Sequence, residues 1–304
     1  MRTVYDYKCN RYGDDCCYFR NYNPSVRLPN VQLPEEEPIV PAISPHEIPS
    51  GILEKTGIIH AMEFPPQGCT SDVAVLAAER GRFVLKRSAI RPFTDWLKRE
   101  ADVLAALAGT GLPVPAFHHF IRTDDERGRL QSWLLMGRLP GEPIRRALAR
   151  TDDPDVKRRI LFEFGKSLRR LHAAPCPDLL QSGEPWLDRM LRQAEHRLRH
   201  DRVDGTPELL ERLKNERPAA VGQALIHGDC TVENVLVHEG TVSGYIDWSG
   251  GAFGDPRYDL ALAVRPIDDL FQSDEDLDAF FAGYGAPPLS RADCNYFNSL
   301  YEFF

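Results

Sequence analysis

Residues Ile226 to Asp259 read IHGDCTVENVLVHEGTVSGYIDWSGGAFGDPRYD, and the order of acids, amide and glycines in this run decides the fold. A short apolar stretch, Ala224-Leu225-Ile226, delivers His227-Gly228-Asp229. Asn234 follows after four intervening residues and opens the strand Val235-Leu236-Val237. The turn Glu239-Gly240 folds the chain into a hairpin. Its second strand, Tyr245-Ile246, ends on Asp247, so the hairpin returns a second carboxylate beside Asn234.

An aspartate, four residues, an asparagine and a second aspartate after a hairpin is the spacing that phosphoryl transfer uses in protein kinases. There the amide and the second acid hold magnesium, and the first acid accepts the proton of the attacking hydroxyl. Two departures separate this chain from protein kinases: Gly228 replaces the arginine of His-Arg-Asp, and Trp248-Ser249 replaces Phe-Gly. Taken together, H-G-D-x-x-x-x-N, I-D-W and G-D-P-x-x-D-L-A resemble the aminoglycoside phosphotransferase and choline kinase family of small-molecule kinases. The resemblance runs from about Ile58 to the C-terminus. It implies an α+β, protein-kinase-like fold with a small β-rich N-lobe and a larger, mostly helical C-lobe. It also implies Asp229 as base, Asn234 and Asp247 as magnesium ligands, and His227 and Asp259 as supports of the catalytic loop. Read without the resemblance, single acids before glycine or proline are turn and cap residues. A metal phosphoesterase is the enzymatic rival, but it calls for more histidines than the nearby His238.

At 304 residues with 42% apolar content, the chain can bury the core of a two-lobed enzyme. A formal charge of -8 argues against a nucleic-acid partner, which needs a basic stripe. No window approaches about eighteen consecutive apolar residues, and the start lacks a signal-peptide pattern, so the expectation is a cytoplasmic protein without a membrane partner. The seven cysteines, an odd number, suggest reduced thiols rather than a disulfide framework. Oligomeric state is not legible.

Three regions are expected. Residues 1–50 carry Cys9, Cys16 and Cys17 among tyrosines and then a proline every few positions, which reads as a poorly ordered extension. The run Tyr5 to Gly13 is similar to the start of a zinc ribbon, but Tyr12 stands where a second cysteine is required. Residues 51–137 form the nucleotide-binding N-lobe, with β-rich runs at Ile58-Ile59, Val73 to Leu76, Phe83 to Lys86, Phe117 to Ile121 and Ser132 to Met136. Lys86 ends a strand, and Glu100 lies on the apolar face of a helix that Thr94 can cap, so Glu100 needs a cationic partner and Lys86 is the candidate. The turn Pro65 to Asp72, with Gly68 and Ser71, stands where a kinase-like hairpin covers nucleotide phosphates. The exit Gly137-Arg138-Leu139 resembles the family's hinge, which implies adenine contacts at Gly137 and Leu139.

Residues 138–304 form the catalytic and acceptor-binding C-lobe, with helical stripes at Val156 to Leu171 and Trp186 to Leu198. His172 reads as structural. The acids Asp268, Asp269, Asp274, Glu275, Asp276 and Asp278 read first as a solvated face; lining a pocket, they would favour a cationic amino sugar. The expected reaction moves the γ-phosphoryl group of ATP, or GTP, with Mg2+, to a hydroxyl of a small-molecule acceptor. The alternative from another class is a catalytically silent nucleotide-binding module acting through a partner.

Overall fold

The computed structural model describes residues 43–65, 70–265, 271 and 273–304. They divide into two compact units. One runs to Lys98 and resumes over His118–Arg138; the other takes Arg99–Phe117 and Leu139–Phe304.

In the first unit, helix α1 (Ser50–Thr56) precedes strands β1 (Ile59–Glu63), β2 (Asp72–Ala78) and β3 (Gly81–Ser88). Helix α2 (Phe93–Leu107) separates these from β4 (Phe117–Asp124) and β5 (Leu130–Gly137), and the five strands form one sheet in the order β1-β2-β3-β5-β4. Period-two alternation puts Phe83, Leu85 and Arg87 of β3 on one face and Val84, Lys86 and Ser88 on the other. The first face packs with Leu76, Trp133 and Leu135.

Arg87 remains on that apolar face because its charge is compensated. Asp72 holds it at 2.7 Å and Glu47 at 2.9 Å, and the guanidinium lies 5.5 Å from the centroid of the Trp133 ring.

Glu47 belongs to the stretch expected to be a loose extension, and there the structure differs from the expectation. Ile43 and Ile48 are buried in the same cluster as Leu85 and Trp133. Two isoleucines five positions apart, with Pro45 between them, leave no periodic apolar face to read, yet both are buried in the core. Residues 1–42, with Cys9, Cys16 and Cys17, lie outside the described residues, as do Pro66 to Cys69.

The second unit begins with the rest of α2. Its loop is tied down where Tyr245 N–H donates to the Pro113 carbonyl (3.0 Å) and Arg170 to that of Gly111 (2.9 Å). These bonds explain why Arg99–Phe117 groups here instead of with an uninterrupted 51–137 region. A short strand β6 (Glu142–Pro143) and helix α3 (Ile144–Ala149) lead to α4 (Pro154–Ala173), whose first turn is capped by the Asp153 carboxylate accepting from the Asp155 and Val156 amides. Its buried stripe includes Ile160, Phe164, Leu168 and Leu171.

Helices α5 (Trp186–His200) and α6 (Pro207–Asn215) follow, then β7 (Ala224–Ile226), β8 (Val235–His238), β9 (Thr241–Tyr245) and β10 (Ala252–Gly254). Glu239 (φ 51°) and Gly240 (φ 77°) both adopt the left-handed region, which closes the β8–β9 hairpin in two residues. Helices α7 (Pro256–Ala263), α8 (Asp274–Tyr284) and α9 (Arg291–Tyr301) complete the unit. Trp186, Leu191, Leu213, Ile226, Tyr258 and Phe297 share its core. Among the described residues, no helix is long and apolar enough to cross a membrane, and Cys176, Cys230 and Cys294 are free thiols.

Truncating Ile48 to alanine should cost about 2–5 kcal/mol, the range for a buried isoleucine. Chemical denaturation checks this, and a change below about 0.5 kcal/mol would mean that the segment adds nothing to the core.

Candidate active site

The site residues of the second unit converge because β7 and β10 pair antiparallel, with Ile226 opposite Ala252. The chain leaving β7 at His227-Gly228 therefore runs against the chain entering β10 at Gly250-Gly251. Gly228 has φ +80°, and a Cβ there would stand 2.2 Å from the Gly250 carbonyl oxygen, so this crossing admits neither arginine nor alanine. The glycine that distinguishes the motif from that of protein kinases is thus a packing requirement.

Asp259, on α7, sets the crossing. Its carboxylate is fully buried and accepts from the His227 N–H at 2.6 Å, the Gly228 N–H at 2.8 Å and His172 Nε2 at 3.2 Å. Such charge-assisted bonds are the strong ones, and three of them compensate a charge taken out of water. The hydroxyl of Tyr284 stands 2.9 Å from His172 Nδ1, so His172 links two buried polar groups and is structural, as expected. His227 Nε2 donates to the Ile246 carbonyl (2.8 Å) and its Nδ1 accepts the Asp229 N–H (3.2 Å). Trp248, fully buried, packs against that ring with centroids 4.5 Å apart and planes tilted by 58°, and donates to the Tyr245 carbonyl.

On this base stand Asp229 and Asn234. Asn234 Nδ2 donates to the Asp229 backbone carbonyl at 2.9 Å and to Asp229 Oδ2 at 2.8 Å, so both amide hydrogens are used. The other carboxylate oxygen, Oδ1, accepts from the Tyr301 hydroxyl at 2.8 Å. Burial raises the Asp229 carboxyl above its ordinary value; His227 and the Tyr301 and Asn234 donors work against this, and the nearby Asp247 charge adds to it.

Asp247 follows β9 with φ 63° and ψ 58°. A left-handed backbone is costly for most residues and tolerated by aspartate. It is held on both sides, by the Ile246 N–H to the Asn234 carbonyl (2.9 Å) and by buried Trp248.

A magnesium ion suits this donor set. With its NH2 committed, Asn234 can present only its Oδ1 oxygen, and Asp247 supplies a carboxylate; magnesium takes one or two such oxygens and completes its shell with phosphates and water. Among the described residues, no cluster of three His, Cys, Asp or Glu side chains could hold a metal without such help.

The remaining candidates are placed as follows. Lys86 is 8% exposed on β3 and Glu100 is 4% exposed on α2. Ser71 is half-buried just before β2, Gly137 ends β5 opposite Phe83, and Leu139 is half-buried two residues on. Asp255 caps α7 and binds Arg257 at 2.7 Å. Asp274, Glu275 and Asp276 occupy the first turn of α8, where acids favour the helix dipole, and Asp274, Glu275 and Asp278 are exposed. Gly68, Asp268 and Asp269 lie outside the described residues. Tyr301 is the residue that sequence reasoning missed: it stands 72 positions from Asp229 in a helix without a motif.

A five-stranded antiparallel sheet followed by a mostly helical unit, with this loop, defines a phosphotransferase of protein-kinase-like fold. The pattern of the phosphotransferase enzyme family matches residues 62–293, and the chain belongs to that family. It is similar to an aminoglycoside 3'-phosphotransferase of Enterococcus faecalis, 29% identical over 207 residues covering 63% of this chain and 73% of the relative. A homoserine kinase of Neisseria meningitidis is 32% identical over 153 residues, 45% of this chain and 47% of the relative. Among solved structures, a thermostable mutant of the aminoglycoside phosphotransferase APH(4)-Ia, in ternary complex with ADP and hygromycin B, superposes with a TM-score of 0.60. That alignment covers 83% of this chain and 87% of the other at 16% identity, a likeness of fold. The chain is accordingly a small-molecule kinase.

Asp259→Ala leaves two backbone donors and a histidine without their acceptor, and should cost about 3–5 kcal/mol. Denaturant unfolding measures this; a loss under about 1 kcal/mol would show that the loop is held by other means.

Proposed function

We propose that this protein transfers the γ-phosphoryl group of ATP to a hydroxyl of a small molecule, with an amino sugar as the first candidate acceptor. The observation that carries the reading is the Asp229 carboxylate held by the Asn234 amide on a loop anchored by Asp259.

In this reading the acceptor oxygen attacks the γ-phosphorus, the bond to the bridging β–γ oxygen breaks, and the hydroxyl proton passes to Asp229. The transition state is loose, so the hydroxyl becomes acidic late and a carboxylate suffices as base. Most of the acceleration then comes from position, which is what the fixed carboxylate supplies. Asn234 Oδ1 and the Asp247 carboxylate would hold magnesium, which when bound neutralises charge on the phosphates. Lys86 and Glu100 are assigned to the nucleotide, Ser71 to its phosphates, and the backbone at Gly137 and Leu139 to adenine.

Support for the amino sugar comes from the similarity to the aminoglycoside 3'-phosphotransferase. The described acids of α8 add nothing to it, since Asp274, Glu275 and Asp276 sit in the first turn of the helix and Asp278 is exposed. Similarity to the homoserine kinase favours a second reading, in which the acceptor is an amino acid alcohol. The silent-module alternative predicts nucleotide binding without turnover, so phosphate transfer by the wild-type protein decides against it.

Asp229→Asn should fold and bind ATP as the parent does, yet lose at least about 10²-fold in kcat, the scale for a positioned base. Transfer to kanamycin and to homoserine, followed by 31P NMR, measures it, and near-normal turnover by the folded variant would contradict the assignment. Asp247→Ala should abolish the magnesium dependence of nucleotide binding, read by calorimetry with and without the ion; an unaltered magnesium titration would exclude it as a ligand.

A further inference from the structure

Asp229 has two carboxylate oxygens, and the phosphotransferase reading explains the partner of only one. Oδ2 is held by Asn234, whereas Oδ1 accepts a 2.8 Å bond from the Tyr301 hydroxyl at the end of α9. That tyrosine is itself fixed. The Arg265 guanidinium lies 5.1 Å from its ring centroid and is bound at 2.8 Å to the next residue, Glu302. The Glu302 carbonyl accepts the Asp204 and Gly205 amides, and the Tyr258 ring stands 6.4 Å away.

A carboxylate pinned at one oxygen can still turn about its Cβ–Cγ bond, whereas one pinned at both cannot. Each oxygen offers two lone-pair directions, so after Asn234 and Tyr301 have taken one apiece, one remains on each for an incoming hydroxyl. We propose that Tyr301 is a positioning residue for phosphoryl transfer: its hydroxyl locks the plane of the Asp229 carboxylate and so fixes where the acceptor hydroxyl must sit. The role rests on the reading of Asp229 as base. It acts through Asp229, and so belongs to the turnover step and not to nucleotide binding.

The test compares the full-length wild type, Tyr301→Phe, Asp229→Asn and the double variant, with kanamycin and homoserine as acceptors. Tyr301→Phe should lower kcat about tenfold or more, since small misplacements of a reacting group are expensive. The KM for ATP should stay within about twofold. Added to Asp229→Asn, the same change should cost nothing further, which a merely structural role would not produce. Tyr301→Leu removes the same donor and should show the same split. Wild-type kcat in Tyr301→Phe, or an undiminished further loss in the double variant, overturns the assignment while leaving the function intact. Transfer by the wild type to neither acceptor overturns the functional reading, and the role of Tyr301 with it.

Discussion

A single buried carboxylate, that of Asp259, accepting the N–H groups of two consecutive residues, is the contact on which the site depends. Isolated in the interior, such a charge would be expelled or neutralised. Three donors keep it, and because two of them are backbone amides, the bond fixes the path of the main chain and not merely a side chain. His227 and Gly228 are thereby pressed against Gly250, and everything that follows in the loop inherits that position. Asp229 leaves the crossing in one direction, Asn234 folds back onto its carbonyl and carboxylate, and Asp247 is brought alongside by the β8–β9 hairpin.

The electrostatics follow from this geometry. Asp229 is buried near Asp247, whose charge disfavours ionisation of the Asp229 carboxyl. Hydrogen-bond donors relieve Asp229. Under the proposed function a bound cation and the phosphates it accompanies would complement Asp247, which a left-handed backbone turns out of the strand. Asn234 and Tyr301 together hold the Asp229 carboxylate still, which is what the proposed reaction, in which placement outweighs basicity, requires of a base.

Much of this was legible in the sequence. The hairpin was visible in Glu239-Gly240, and the meeting of Asp229 with Asn234 in their spacing, because turn chemistry and short-range spacing are local properties. The strands carrying Lys86 and the helix carrying Glu100 were legible from periodicity, and the burial of both side chains agrees with a polar role inside the fold. What the sequence hid was non-local. Ile43 and Ile48 dock without a repeat, and Arg87 is buried through Asp72 and Glu47 from two separate segments. Tyr301 reaches Asp229 only because α9 packs back onto α7 in the core that includes Tyr258 and Phe297. No spacing rule connects residues that meet only after the helices have assembled.

The central claim is that Asp229 takes a proton from the acceptor and never carries the phosphoryl group itself. The most direct test is the stereochemical course of transfer from ATP made chiral at the γ-phosphorus. Inversion at phosphorus is predicted, the mark of one in-line displacement by the acceptor hydroxyl. Retention would require two displacements through a phosphorylated enzyme group, and would contradict the account.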